Sequence, residues 1–280
     1  MNTFDIMGTI RNFTGLETEN DLGSVLLKRM TNLGMMYVGQ LLMPLYHEFL
    51  VKTKDYTGES GSSIDLPGDV LRILDIYRDD ADSLAKLCTA VPVENRGLID
   101  INPNYSSSEA YPLYVHEGRQ AVIAPALDTT DVSLRYRKRL VDLVEGDFTY
   151  ASATTGTLGA DALPIDDLYN NYDLAVYTVT ASAVTLVGTF LISDYVGSTK
   201  VVTLTGAALT SVKMKYALVP IIPGEFHNFI VDAGIAQVKR IKLYQDKIEG
   251  LTSWQDDLVS LKSAIKETLD VNLGMRREEQ

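Results

Sequence analysis

A single cysteine, Cys88, leaves the chain without an internal disulfide, and three histidines offer little material for a transition-metal site. Cys88 reads as a small buried hydrophobe rather than a nucleophile. Phosphate-binding and nucleophile motifs are missing too. "GESGSS" is followed by no Gly-Lys-Ser/Thr, no glycine-rich dinucleotide fingerprint follows a strand, and no Gly-x-Ser-x-Gly elbow occurs. His47-Glu48 is half of a zinc-protease motif, but Val51 stands where the second histidine would be. Asp79, Asp80 and Asp82 lack the spacing and terminal glutamate of a calcium loop, so they read as a solvated acidic turn. These absences point away from an enzyme and predict neither cofactor nor metal. A pair of carboxylates drawn from distant parts of the chain is the one catalytic arrangement they leave open.

Basic residues are also in short supply. Lys and Arg number 25 against 37 Asp and Glu, giving a formal net charge of −12 and a pI near 4.7. That balance excludes a general nucleic-acid binder, whose domain would be basic. Against it stands "DVSLRYRKRL" (131–140), which crowds Arg135, Arg137, Lys138 and Arg139 together. On a strand, Arg135, Arg137 and Arg139 project from one side and repel one another. The offset must be nucleic acid, a partner subunit, or solvent with the protein's own carboxylates.

The N-terminal "MNTFDIMGTIRNF" has no basic segment leading into an apolar core, so no signal peptide is expected. Leu174 to Ser193 carries no charge and matches a membrane span in length. It is nevertheless rich in Thr, Ser and β-branched residues and broken at Gly188, which predicts strands in a soluble protein.

Periodicity organises the remainder. Leu22, Leu26, Met30, Leu33, Tyr37, Leu41, Leu45 and Phe49 recur at helical steps, with Thr18 and Asp21 at capping-box spacing and a kink expected at Pro44. "TGESGSS" (57–63) reads as a flexible loop. Val70–Tyr77 reads as a strand, and "YPLYVHEGRQAVIAPA" as a hairpin turning at His116–Arg119. From about 146 to 212, Thr, Ala, Gly and Val dominate, with strand-like runs at 174–180, 183–193 and 200–205. Helical periodicity then returns after Pro223-Gly224, with Gly250 bending or splitting a long C-terminal helix. The expected fold class is α+β: a helical bundle with a small antiparallel sheet (1–145 and 213–280) carrying an inserted all-β module (146–212).

The order of these segments, with "LPGDVLRILDIY", "YPLYVHEGRQAVIAPALDTTDVSLRYRK" and "LVPIIPGEFHNFIVDAGIAQVKRIKLYQDK", resembles the head-to-tail adaptor (connector) proteins of tailed bacteriophages. "DDLYNNYDLAVYT" with "LISDYVGSTKVVTL" is similar to a small β module of phage structural proteins. The resemblance implies a structural, non-enzymatic protein of the virion neck, made in the bacterial host cytoplasm and without cofactor. It also implies a ring, commonly dodecameric, between the portal and a tail, nozzle or next-ring protein, through which double-stranded DNA passes without sequence-specific contact and without a membrane. Net acidity suits such a passage, because strong phosphate neutralisation would hold the genome. Arg135, Arg137, Lys138 and Arg139 are then expected to meet an acidic surface of an adjacent subunit or the portal, with DNA contact and a merely solvated strip as alternatives. The tail Asn272–Gln280, with Met275, Arg276 and Arg277, is a candidate for docking on the portal or a neighbouring ring. The competing functional reading is another neck, tail or capsid-associated binding protein whose β module decorates the particle or binds a host glycan.

Overall fold

The computed structural model describes residues 1–14, 24–44, 48–79, 85–99, 103–180, 183–210, 213–246 and 252–278. Two helices, α1 (Thr3–Thr14) and α2 (Ser24–Leu42), are followed by the strands β1 (Val51–Asp65), β2 (Val70–Asp79), β3 (Lys86–Leu87), β4 (Thr89–Ala90), β5 (Leu113–Glu117) and β6 (Gln120–Lys138). Then come β7 (Glu145–Tyr150), β8 (Thr155–Leu158), β9 (Asp173–Val179), β10 (Val184–Val196), β11 (Val201–Leu204) and β12 (Met214–Leu218). The helices α3 (His227–Asp246) and α4 (Thr252–Glu278) follow. The chain divides into two compact units, one of Leu50–Arg139 with Asp166–Leu168, the other of Met1–Phe49, Leu140–Ile165 and Tyr169–Gln280.

The first unit is built around β6. β1 pairs with it antiparallel from Val51↔Arg137 to Asp65↔Gln120, β2 covers its second half and β5 its first. One face packs Ile64, Ile73, Ile76, Ile123, Val132 and Leu134 into a core of its own. Among the described residues this unit contains no α-helix. The "TGESGSS" loop is instead part of β1. Gly58 and Gly61 take positive φ (64° and 96°) where the register with β6 slips, so glycine allows a bulged strand to keep pairing. The hairpin turning at His116–Arg119 is present, with Gly118 at φ 60°.

The second unit contains a closed six-stranded barrel in the order β10-β11-β8-β7-β12-β9. Leu174, Val176, Ile192, Tyr195, Val202 and Tyr216 are fully or almost fully buried in it. Tyr195 donates its hydroxyl proton to the Leu163 carbonyl at 2.7 Å, and its ring meets Tyr169 edge-on at 4.8 Å. The uncharged run 174–193 therefore forms strands β9 and β10, and no helix among the described residues is long and apolar enough to cross a membrane. α1 is fixed to the barrel by Thr3, whose hydroxyl donates to the Leu218 carbonyl at 2.6 Å. α2 is tied to the approach to β7 by Asn32, whose amide oxygen accepts from the Leu143 N–H at 2.8 Å. Beyond α2, Pro44 lies in a turn and Glu48–Leu50 form a single 3₁₀ turn; the proposed capping pair Thr18 and Asp21, together with Leu22, Leu45, His47 and Gly250, lies outside the described residues.

These findings overturn the expected helical bundle with a small sheet. Twelve strands hold more of the described residues than four α-helices do, and the sheet of the first unit has a core of its own. β12, expected within the helical host region, is a barrel strand, because Met214, Tyr216 and Leu218 fill the interior while pairing with β7 and β9.

α2 and α3 cross at glycine. A Cβ on Gly34 would come within 2.7 Å of the Gly234 backbone nitrogen and 2.9 Å of the Ile230 carbonyl oxygen. Backbone cannot give way as a side chain can, so Gly34→Ala should separate the helices and cost about 1–3 kcal/mol. Chemical denaturation of the variant checks this; unchanged stability would mean the helices do not cross so closely.

Candidate functional site

Alternation along β6 sorts its side chains onto two faces. Val132, Leu134, Tyr136 and Lys138 point into the core, while Asp131, Ser133, Arg135, Arg137 and Arg139 lie on the other side. The strip of arginines thus exists as a face. Arg135 and Arg139 are exposed and Arg137 is half-buried.

Lys138 does not join them. The contact expected of it is unavailable in this conformation, because its side chain is 0% exposed and sits on the core face. Its Nζ lies 3.5 Å from Oδ2 of Asp69, itself 1% exposed, and the Tyr136 hydroxyl donates to Asp69 Oδ1 at 3.1 Å. Asp69 occupies the turn before β2, where its carbonyl accepts the Arg139 N–H at 2.8 Å, so the turn and the end of β6 are tied by one residue. Burial pushes the Lys138 ammonium down to about 7 against the pull of Asp69, and it raises the Asp69 carboxyl and the Tyr136 phenol. The cluster holds a turn and is shut off from water, both charged side chains being at most 1% exposed.

On the exposed face the ladder sets Arg137 directly opposite Arg72 of β2, and Arg135 opposite Asp75. Arg135 reaches Asp75 at 3.6 Å, and an Arg139 guanidinium nitrogen donates to the Val70 carbonyl at 3.3 Å. Among the described residues Arg72 and Arg137 meet no carboxylate, and Arg137 Nε is buried without a hydrogen-bond partner. Two like charges opposite each other on a ladder destabilise it. Arg72 carries no motif. Its place beside Arg137 depends on a bulge in β2 at Leu71 that shifts the register, which alternation alone does not reveal.

The predicted tail residues Met275, Arg276 and Arg277 fall in the last turns of α4, which runs to Glu278, so this segment is helical rather than an extended tail. Their side chains lie outside the described residues, and so do Asp80 and Asp82. Asp79 closes β2 on the surface, and Cys88 is buried. A cleft of about 590 Å³ in the first unit is lined by Lys54, Asp65, Glu117, Arg119 and Asp167 among others. Within it Lys54 pairs with Asp167 at 3.1 Å, Glu117 with Arg96 at 2.6 Å, and Gln120 donates to Asp65 at 3.0 Å. No group of three or more His, Cys, Asp or Glu among the described residues is placed to hold a metal ion. The β6–β2 face is therefore the candidate site. No protein-family model and no curated protein matches the chain.

Two outcomes follow from this geometry. Below pH 7, where Lys138 carries its proton, Lys138→Met leaves the Asp69 carboxylate buried without its cation and should cost about 3–5 kcal/mol, whereas the double change with Asp69→Asn should recover most of that loss. Native Lys138 releases its proton near 7 and an unfolded lysine near 10.5, so between them the unfolded chain binds more protons and stability rises with pH. The double variant should lack that rise between pH 7 and 9.5 in urea titrations; an identical slope in both proteins would refute the assignment. Separately, Arg72→Thr should leave the melting temperature unchanged or slightly higher, since it removes a like-charge neighbour of Arg137.

Proposed function

We propose that this chain is a structural adaptor of a tailed-phage virion, forming a ring between the portal and the next tail component, with DNA passing through it. The observation that carries the proposal is the arginine face of β6 and β2 in a chain of net charge −12, two of whose guanidinium groups meet no carboxylate among the described residues. Such a face is suited to an acidic protein surface, on an adjacent subunit or the portal, and the acidity of the rest suits a conduit that must not grip its cargo. The order of segments is the second support. The helical bundle is not part of it. The protein acts by binding and needs no catalysis or cofactor, and its place is the neck of the particle.

A second reading, attachment to the particle or to a host glycan through the barrel, is favoured by one feature. Val184, Leu186, Val187 and Leu191 of β10 are 42–60% exposed, on a stretch that pairs with β9 and leaves its other edge free of β11.

Electron microscopy of the protein mixed with the portal of the same virus separates the two. A ring on the outer end of the portal, lost or depleted at least about tenfold with Arg137→Glu, is the expected result, the charge reversal turning attraction into repulsion. A bare portal, with the protein bound elsewhere on particles, would refute the adaptor role and favour the barrel.

A further inference from the structure

The face that carries the arginines carries carboxylates at its other end, and we propose that two copies of this chain pair through it, face to face about a two-fold axis. The inference rests on reading the arginines as a contact for an acidic protein surface, not on the assignment to a virion. Four rungs of the β1–β6–β2 ladder define the face. The first holds Val51, Arg137 and Arg72, and the second Thr53, Arg135 and Asp75. The third holds Asp55, Ser133 and Tyr77, and the fourth Asp131 and Asp79. One end is basic, the other acidic, and they lie six residues or ~20 Å apart along β6 at about 3.4 Å per residue.

The charges that are satisfied at home lie in the middle. Arg135 pairs with Asp75, and Asp55 accepts a hydrogen bond from the Ser133 hydroxyl at 2.6 Å. Among the described residues Arg72 and Arg137 at the basic end meet no carboxylate; at the acidic end Asp131 accepts the Gly58 N–H and Asp79 is exposed. An axis between two such faces, running across the strands, lays the first rung of one copy over the fourth rung of the other. Arg72 then stands over the second copy's Asp79, and Arg137 over its Asp131, twice in each pair. Another acidic protein would satisfy the arginines but would press carboxylates against Asp79, Asp131 and Asp55. A second copy satisfies both ends, because the face is its own complement. A two-fold contact closes on itself, so a ring would assemble from such pairs through another surface.

The test uses the full chain and two double variants, Arg72→Glu with Arg137→Glu and Asp79→Lys with Asp131→Lys, in sedimentation equilibrium at low and high salt. All four positions lie on the surface or face, and circular dichroism verifies that the variants fold. The unmodified chain should dimerise at low salt and weaken about tenfold or more as salt screens the contact. Each variant alone should dimerise at least about tenfold more weakly, and an equimolar mixture of the two should restore a mixed dimer, since both ends are again opposite in sign. A chain that stays monomeric at low salt, association that both variants leave intact, or a mixture that fails to pair would each overturn the proposal. A ring on the portal built from a chain that is monomeric in solution would overturn this pairing and leave the adaptor reading standing.

Discussion

Everything in the first unit hangs on one strand. β6 runs for 19 residues, and β1, β2 and β5 all pair with it, so its alternation decides what every neighbour buries and what it shows. Its hydrophobic side runs from Ala121 to Leu127 and, after a one-residue shift at Asp128–Thr129, from Val132 to Tyr136, and it ends on a lysine that the alternation of this second half forces inward. Lys138 stays there because Asp69 meets it, and Asp69 also fixes the turn that starts β2. The buried ion pair is a poor source of stability when set against an apolar pair, but removal of either partner leaves a charge stranded. Its value lies in register. Were β6 to slip by one residue, Lys138 would move outward and three arginines would move into the core.

That same constraint creates the candidate surface. With the apolar set committed to the core, the other side of β6 is free to carry charge, and it carries charge in order, acid at one end and arginine at the other. β2 repeats the order in the opposite chain direction, from Arg72 to Asp79, so the two strands reinforce each other. Arg72 and Arg137 oppose one another at a cost to the isolated chain, which is the kind of cost that persists where a partner relieves it.

Part of this was legible in the sequence. The spacing of Arg135, Arg137 and Arg139 placed them on one face, the Gly118 turn marked its hairpin, and Pro223-Gly224 marked the start of the C-terminal helices. Lys138 is adjacent to the arginines and shares their charge, which groups it with them, although alternation alone puts it on the opposite side. Its partner, Asp69, is far away in the chain, and no local pattern announces the pair. The glycines and serines of 57–63 looked like a loop because strand propensity counts side chains, whereas β1 is held there by its ladder to β6 and by glycine at two bulges. The barrel closes only through β7 and β12, which are about 65 residues apart, and periodicity over a short window carries no information about such a pairing. α1 is short, and its buried Ile6, Met7 and Ile10 span little more than one turn, too little to mark a helix by periodicity.

The central claim is that the β6–β2 face, and not another surface, is where this protein meets its partner. Arginine-directed dicarbonyl labelling, read residue by residue by mass spectrometry in the associated and dispersed states, measures this directly. Arg96 and Arg119, exposed elsewhere on the same unit, serve as internal references. Slower labelling of Arg72 and Arg137 on association, with Arg96 and Arg119 unchanged, is the predicted result. Labelling of Arg72 and Arg137 that is the same in both states would contradict it and turn attention to the apolar strand of the barrel.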